Sequence, residues 1–299
     1  MLDKLEYLLA LARERNFGKA AESCGVTQPS FSAGIKQLED ALGAMLVQRT
    51  SRFIGFTAEG ERVLEWARGI VADTRSMRTD VQTLKKGLSG HLRIAALPVA
   101  SPMLSLVTTP YHAKYPNVRF SIFSRTAAEI LALLETFEID AGITYVDEAP
   151  PRGLRAVPFY RERFRLVTAP DSPLGDHDKV TWAEVAKVPL CLPATNMQVR
   201  HNIDRLLAAA GAEPGPPTLE SDSMFVLFAH VRTGRWATVM PDKLAEALGL
   251  TQQLRSVPIV DPDVTHQIGL LVPKREPSTA IVTTLVAEVN AIARTLEHA

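Results

Sequence analysis

The sequence predicts two fold classes in one chain: an all-helical N-terminal part carrying a small hairpin, then an α/β part. Three observations predict this. Up to residue 88 apolar residues recur at helical spacing, whereas from His91 onward apolar runs of strand length alternate with helical segments. The length of 299 residues suits two or three domains better than a single core. A hydrophobic fraction of 46% with 22% charged residues is that of an ordinary water-soluble protein, and only 6% aromatics means cores built from Leu, Val, Ile and Ala.

Leu5, Leu8, Leu9 and Ala12 share one stripe, so residues 3–14 read as an amphipathic helix. A second, short helix runs over Lys19–Cys24, with Ala20 and Ala21 small enough for close packing, and stops at Gly25. Thr27 is placed to cap a third helix, and Pro29 falls in its first turn, where the missing N–H does no harm. Phe31, Ile35, Leu38 and Leu42 supply its buried stripe, and it stops near Gly43. Helix, short helix, tight turn and capped helix make a helix-turn-helix. The opposite face of the third helix carries Gln28, Ser30, Ser32 and Lys36. Gln pairs bidentately with adenine, Ser serves base edges or phosphates, and the helix N-terminus attracts phosphate. Next, Arg49 and Arg52 flank a short polar turn and Phe53–Phe56 returns as a strand. Such a wing brings its arginines to the phosphate backbone or minor groove. Charge alone does not point to DNA: the chain is formally neutral, with +2 over residues 1–90 and −2 over the rest.

The run AAESCGVTQPSFSAGIKQLEDALGAMLVQRTSRFIGFTAEG resembles the DNA-binding segment of LysR-type transcriptional regulators. The Ala-Ala pair, the T-Q-P-S helix start, the I-x-x-L-E-x-x-L-G spacing, the R-x-x-R wing and the T-x-x-G exit carry the likeness. The resemblance implies a winged helix-turn-helix over residues 1–58, with Thr27, Gln28, Pro29, Ser30, Ser32, Lys36, Arg49 and Arg52 at the DNA. Ala33 and Gly34 depart from the family pattern, which usually has Arg and a longer polar residue there; Val47-Gln48 departs too, and this leaves the contacted bases open.

Thr57 can cap a further helix, with Glu59 and Glu61 favourably placed in its first turn. Val63, Ala67, Ile70, Thr74, Met77, Val81, Leu84 and Leu88 then follow in alternating steps of four and three between charged positions. This narrow heptad seam needs a partner with the same stripe. A linker helix and hinge over 59–90 is expected, with Val63, Ala67, Ile70, Met77, Val81 and Leu84 in the seam. The resemblance implies an antiparallel linker-helix dimer, assembling further to a homotetramer. Gly87, Ser89 and Gly90 end the helix.

From His91, LRIAALPV, VRFSIFS and IDAGITYV read as strands, and Met103–Lys114 and AAEILALLETFE as helices. This βαβαβ series predicts a largely parallel sheet with helices on both faces. PLCLP, VRHNIDRLLAAAG, MFVLFAHVRTG, WATVMP and QIGLLVP continue the alternation, and Ser278–Leu296 is an amphipathic helix. The order resembles the effector domain of the same family, a periplasmic-binding-protein-like fold of two lobes joined by two crossing strands. Residues 91–299 form this domain, with lobe one over 91–162 and 268–299 and lobe two over 163–267. Ligands of open α/β sheets bind beyond strand C-terminal ends, near helix N-termini. Ala100, Ser101, Thr126, Thr144, Thr195, Asn196, Met197, Ser223 and Met224 stand at such places. Hydroxyls and amides there suit a small anion such as a carboxylate, and equally suit helix capping. No well-placed arginine is evident among them, which favours a small, singly charged effector. LEWARGIV, LSGHLRIAALPV and QRTSRFIGFTAEG resemble regulators encoded beside formate dehydrogenase genes, which implies formate.

An enzyme is not expected. The histidines are scattered, without metal spacing or a Ser/His/Asp order, and there is no phosphate loop or G-x-G-x-x-G after a strand. A solute-binding protein would have a signal peptide and no helix-turn-helix. With neither a signal peptide nor roughly 20 consecutive apolar residues, the chain is expected in the cytoplasm, without cofactor, metal or membrane contact. Its partners are double-stranded promoter DNA, a small-molecule effector, copies of itself and RNA polymerase. A redox-responsive variant through Cys191 is the alternative. Cys24 and Cys191 are far apart, and Cys191 lies in an apolar, strand-like run.

Overall fold

The structure, a computed structural model, describes residues 1–49, 53–211, 216–249 and 254–297, with the side chains of residues 49 and 84–86 outside the description. It contains two compact units, Met1–Gly87 and Leu88–Ala299.

In the first unit, α1 (Leu2–Glu14), α2 (Phe17–Ser23) and α3 (Gln28–Leu42) precede the hairpin strands β1 (Val47–Arg49) and β2 (Phe53–Phe56) and the helix α4 (Ala58–Lys86). Each helix start after the first is chemically marked. The side chain of Asn16 accepts from the Lys19 amide at 3.0 Å, that of Thr27 from Ser30, and that of Thr57 from Gly60 at 2.9 Å. Asn16 is why α2 begins at Phe17, two residues before the expected start. Leu8, Leu11, Ala20, Phe31, Ile35, Leu38, Leu46 and Leu64 form one core.

Two expectations are corrected here. Leu42 is exposed, and the stripe of α3 ends in the buried Glu39. The Glu39 carboxylate accepts the amides of Leu46 at 3.0 Å and Val47 at 3.2 Å, so it turns inward and ties the end of α3 to β1. On α4, Ala67 is fully buried and Val63 partly so, against this unit's own core, together with Leu64 and Val71. Ala67 therefore belongs to the domain core and not to a dimer seam, because the helical repeat gives α4 two apolar faces. The close approach of α4 to the core is visible at Gly60, where a Cβ would lie 2.0 Å from the Leu46 carbonyl oxygen.

The second unit contains β3 (Gly90–Ala96), α5 (Ser105–Lys114), β4 (Val118–Ser124), α6 (Ala127–Glu135), β5 (Ala141–Tyr145) and the long β6 (Leu154–Thr168). There follow β7 (Val180–Thr181), α7 (Trp182–Val185), β8 (Cys191–Pro193), α8 (Gln198–Ala209), β9 (Leu219–Ser221) and α9 (Met224–Val231). The chain closes with β10 (Thr238–Pro241), α10 (Asp242–Ala247), β11 (Arg255–Val260), β12 (Thr265–Pro273) and α11 (Ala280–Glu297). β3 pairs in parallel with β4 and β5. β6 changes partners along its length: Leu154–Arg163 pairs antiparallel with β12, and Phe164–Thr168 lies between β10 and β11. β12 pairs with β5 only from Ile268 onward. β6 and β12 are thus the strands that pass between the two lobes. Since they run in opposite directions, the sheet is mixed, not largely parallel as the βαβ pattern predicts.

Candidate nucleic-acid interface and inter-lobe cavity

α3 presents Thr27, Gln28, Pro29, Ser30 and Lys36 to solvent, with Ser32 half-buried at the flank. The Thr27 hydroxyl is engaged by Ser30 at 3.0 Å and so caps the helix. Gln28, at its start, and Lys36, about two turns on, are exposed long polar side chains, with Gln37 beside Lys36. Gly34 is buried, and a Cβ there would meet the Tyr7 ring at 2.7 Å, so this departure from the family pattern serves the contact of α3 with α1. β1 and β2 pair antiparallel with Arg49 opposite Phe53, as a wing requires. The Arg49 side chain and all of Arg52 lie outside the described residues, as does the side chain of Leu84. Farther along α4, Ile70, Met77 and Val81 are exposed, joined by Trp66, which the heptad reading passed over.

In the second unit two cavities lie between the lobes. The smaller, about 10 Å³, is bounded by Leu97, Pro98, Val99, Thr126, Met197, Gln198 and Val199, and has room for roughly one water. The larger, about 520 Å³, is of ligand size. Ala127, Leu131, Thr144, Tyr145 and Asp147 line it from lobe one, Gln198, Asn202 and Arg205 from α8, and Thr265 and His266 from β12. Gln198, Asn202 and Arg205 lie on one face of α8. The Asn202 side-chain oxygen accepts from Arg205 at 2.8 Å and from Gln198 at 3.4 Å. Arg205 is exposed and supplies the cation that the sequence reading did not find.

Behind this cavity lies a buried polar chain. The Tyr145 hydroxyl donates to Glu162 Oε1 at 3.0 Å, and the Asn202 side chain faces the same hydroxyl. Glu162 is 1% exposed, and its second oxygen has no hydrogen-bond partner among the described residues. Burial pushes the Glu162 carboxyl up to about 8, reinforced by the charges of Asp242 and Asp147 and opposed by the bond from Tyr145. His266 stands directly across from Glu162 in the β6–β12 ladder. Its Nδ1 is 3.4 Å from Asp147, and its buried Nε2 has no partner among the described residues. Burial holds the His266 pKa below its ordinary value; Asp147 opposes this and Arg205 adds to it.

Of the expected effector residues, Thr126, Thr144 and Met197 line these cavities. Two others are corrected: Ala100 and Met224 point into the hydrophobic core, because each opens a helix packed on its sheet. Thr195 and Asn196 are exposed, and Ser223 is half-buried at the start of α9. The Ser101 hydroxyl donates to the Leu97 carbonyl at 3.0 Å and that of Thr126 to Glu129 at 2.7 Å, so both protons serve local capping. Tyr145, Glu162, Asn202, Arg205 and His266 were missed. Their signal was faint but present: period-2 alternation puts Glu162 inward between Tyr160 and Phe164, and steps of four and three join Gln198, Asn202 and Arg205.

Cys191 is buried, its thiol directed at the carbonyls of Leu227 at 3.7 Å and Ala237 at 3.6 Å, and burial pushes its pKa up to about 11. Cys24 belongs to the other unit. Among the described residues, no helix is long and apolar enough to cross a membrane.

Comparison with known proteins gives a consistent result. Residues 2–61 match the bacterial regulatory helix-turn-helix protein, lysR family, and residues 85–293 match the LysR substrate binding domain. The DNA-binding transcriptional dual regulator OxyR of Escherichia coli is 27% identical over 268 residues, covering 89% of this chain and 87% of the relative. A hydrogen peroxide-inducible genes activator of Dickeya chrysanthemi is 26% identical over the same length and coverage. Among solved structures, a full-length OxyR variant from Pseudomonas aeruginosa superposes with a TM-score of 0.77 at 22% identity, covering 98% of this chain and 99% of that one. Full-length CbnR in complex with its target DNA superposes at 0.67, with 22% identity and the same coverage.

Proposed function

Since this chain belongs to the LysR family of bacterial transcriptional regulators, we propose that it binds promoter DNA through α3 and the β1–β2 wing, and that a small carboxylate in the inter-lobe cavity sets how it binds. It is a DNA-binding regulator with an effector domain, and not an enzyme. The observation that carries the effector reading is the cavity of about 520 Å³, walled by both lobes and holding one exposed guanidinium, Arg205, beside the amides of Gln198 and Asn202. Arg is the side chain best shaped to grip a carboxylate. A ligand touching both lobes favours one lobe angle, and it shifts the equilibrium only by its differential affinity for the two. The regulator acts as a homodimer or homotetramer joined through the exposed α4 face, and RNA polymerase reads the change at the promoter.

Formate is the smallest candidate. It exceeds the one-water space beside Thr126 and Met197 and would leave most of the larger cavity unfilled, so carboxylates with several carbons are the better fit. Control by peroxide, suggested by relatives named hydrogen peroxide-inducible genes activators, is the weaker reading here. It needs a thiolate, and the only effector-domain cysteine, Cys191, is buried with its thiol held protonated at neutral pH.

The test is a gel-shift titration against the chain's own upstream DNA, with formate, acetate and larger carboxylates added in turn. One compound should change the complex's mobility or footprint, and Arg205→Ala should raise the concentration needed by about tenfold or more while leaving DNA affinity unchanged. A response in which Arg205→Ala matches the parent would remove Arg205 from the site. The absence of any shifted complex would overturn the DNA-binding assignment of α3.

A further inference from the structure

Glu162 stands where β6 passes from one lobe to the other. Its partner Tyr145 belongs to lobe one and lines the cavity, while Asn202, which faces the same hydroxyl, belongs to α8 of lobe two. The chain Glu162–Tyr145–Asn202–Arg205 therefore crosses the cleft and joins the hinge strand to the cation on its far wall. A carboxyl this deeply buried is tolerated when neutral. Ionised, it would be buried with one oxygen lacking a partner among the described residues, a state that water must relieve. Parting of the lobes, with Asn202 leaving Tyr145, would open a route for water to it.

We propose that Glu162 is a proton-operated positioning residue of the inter-lobe cavity: protonated, it is tolerated in the closed arrangement that keeps Tyr145 against Asn202, and loss of the proton leaves a buried charge whose need for water outweighs its stronger bond from Tyr145 and drives the lobes apart. This rests on the reading that the lobes close around an effector, and adds proton control of that closure.

Two influences on Glu162 oppose one another: the neighbouring acids disfavour its ionisation, and the hydrogen bond from Tyr145 favours it. Asp147, after β5, and Asp242, on α10, are acids that disfavour its ionisation. Tyr145, on β5, and Tyr160, on its own strand, both have their pKa raised by burial and stay neutral. Burial lowers the pKa of His266, on β12, with Arg205, on α8, adding to the lowering and Asp147 opposing it. Arg161 and Arg163 flank Glu162 on the exposed face of the strand. The sign follows. The closed-state pKa is raised above the ordinary carboxylate value, so closure is fully favoured below about 4.5 and weakens as pH rises through about 8. Within that window the open-to-closed ratio should grow by up to about tenfold per pH unit.

The experiment places spin labels at Arg125→Cys in lobe one and Thr195→Cys in lobe two, both exposed sites, on the full-length chain with Cys24→Ser. Inter-label distances are measured by pulsed electron resonance from pH 6 to pH 8.5, without effector. The short-distance population should give way to a longer one as pH rises. Glu162→Gln, neutral at every pH, should keep the short population throughout, and Tyr145→Phe should favour the long one throughout. A parent distribution that does not change with pH overturns the proposal, whether or not the variants fold; so does a pH response that survives in Glu162→Gln. Adding formate and larger carboxylates at pH 7 tests the effector reading separately. A pH-driven shift with no carboxylate response keeps the proton device and sinks the carboxylate reading, and the reverse result does the opposite.

Discussion

Glu39 shows how one side chain can join local and tertiary structure. In sequence it is the acid of an I-x-x-L-E-x-x-L-G run; in the fold it satisfies two buried amides of the next segment. Glu39→Ala strands both, and should destabilise the first unit by about 2–3 kcal/mol, seen as an earlier thermal transition and a parallel loss of DNA binding. An unchanged transition would mean that solvent takes over those amides. On the exposed side of α3, Gln28 and Lys36 should separate cleanly. Gln28→Ala should relax the preference for one base pair, by about 1–3 kcal/mol of discrimination, whereas Lys36→Ala should weaken all sequences alike and reduce the salt slope by about one. Titrations between about 50 and 200 mM salt distinguish the two effects.

Among elements, α4 carries the clearest lesson. Its seam positions read as one heptad stripe, yet Ala67 lies on a face buried on the domain core with Leu64 and Val71, while Ile70, Met77 and Val81 lie on an exposed face with Trp66. The two faces call for opposite outcomes. Ile70→Asp with Met77→Asp should dissociate the assembly, read by sedimentation at micromolar concentration, and leave the monomer folded. Ala67→Leu should overpack the core, lowering stability by about 1–3 kcal/mol without changing the assembly state. If the charged pair leaves the oligomer intact, α4 is not where copies meet.

Across the whole molecule, Cys191 tests whether similarity to the hydrogen peroxide-inducible genes activators extends to chemistry. Thiol reagent should modify Cys24 first in the native chain and reach Cys191 only on unfolding, and peroxide should leave the DNA footprint unchanged. Rapid labelling of Cys191 in the folded protein would reopen the redox reading. Because burial raises the Cys191 pKa from 9.0 to about 11, stability from keeping the thiol neutral is complete below about pH 9 and lost as pH climbs toward 11. A stability profile flat across that alkaline range would contradict the burial of the thiol.

The sequence by itself determined the local chemistry. Thr27 and Thr57 cap the helices that their spacing announced, the turn at Gly25 separates α2 from α3, and the strand–helix alternation after His91 appears in order. These features depend on residues a few positions apart, so a linear reading reaches them. The tertiary structure alone decided which apolar face of α4 is core, why the sheet is mixed, and where the polar lining of the cavity comes from. Tyr145, Glu162, Asn202 and His266 belong to four separate elements, and no spacing within one segment could announce their meeting. They converge because β6 and β12 cross between the lobes side by side and bring α8 against the end of β5. That crossing also sets the desolvation of Glu162, a property of burial that no residue carries in isolation.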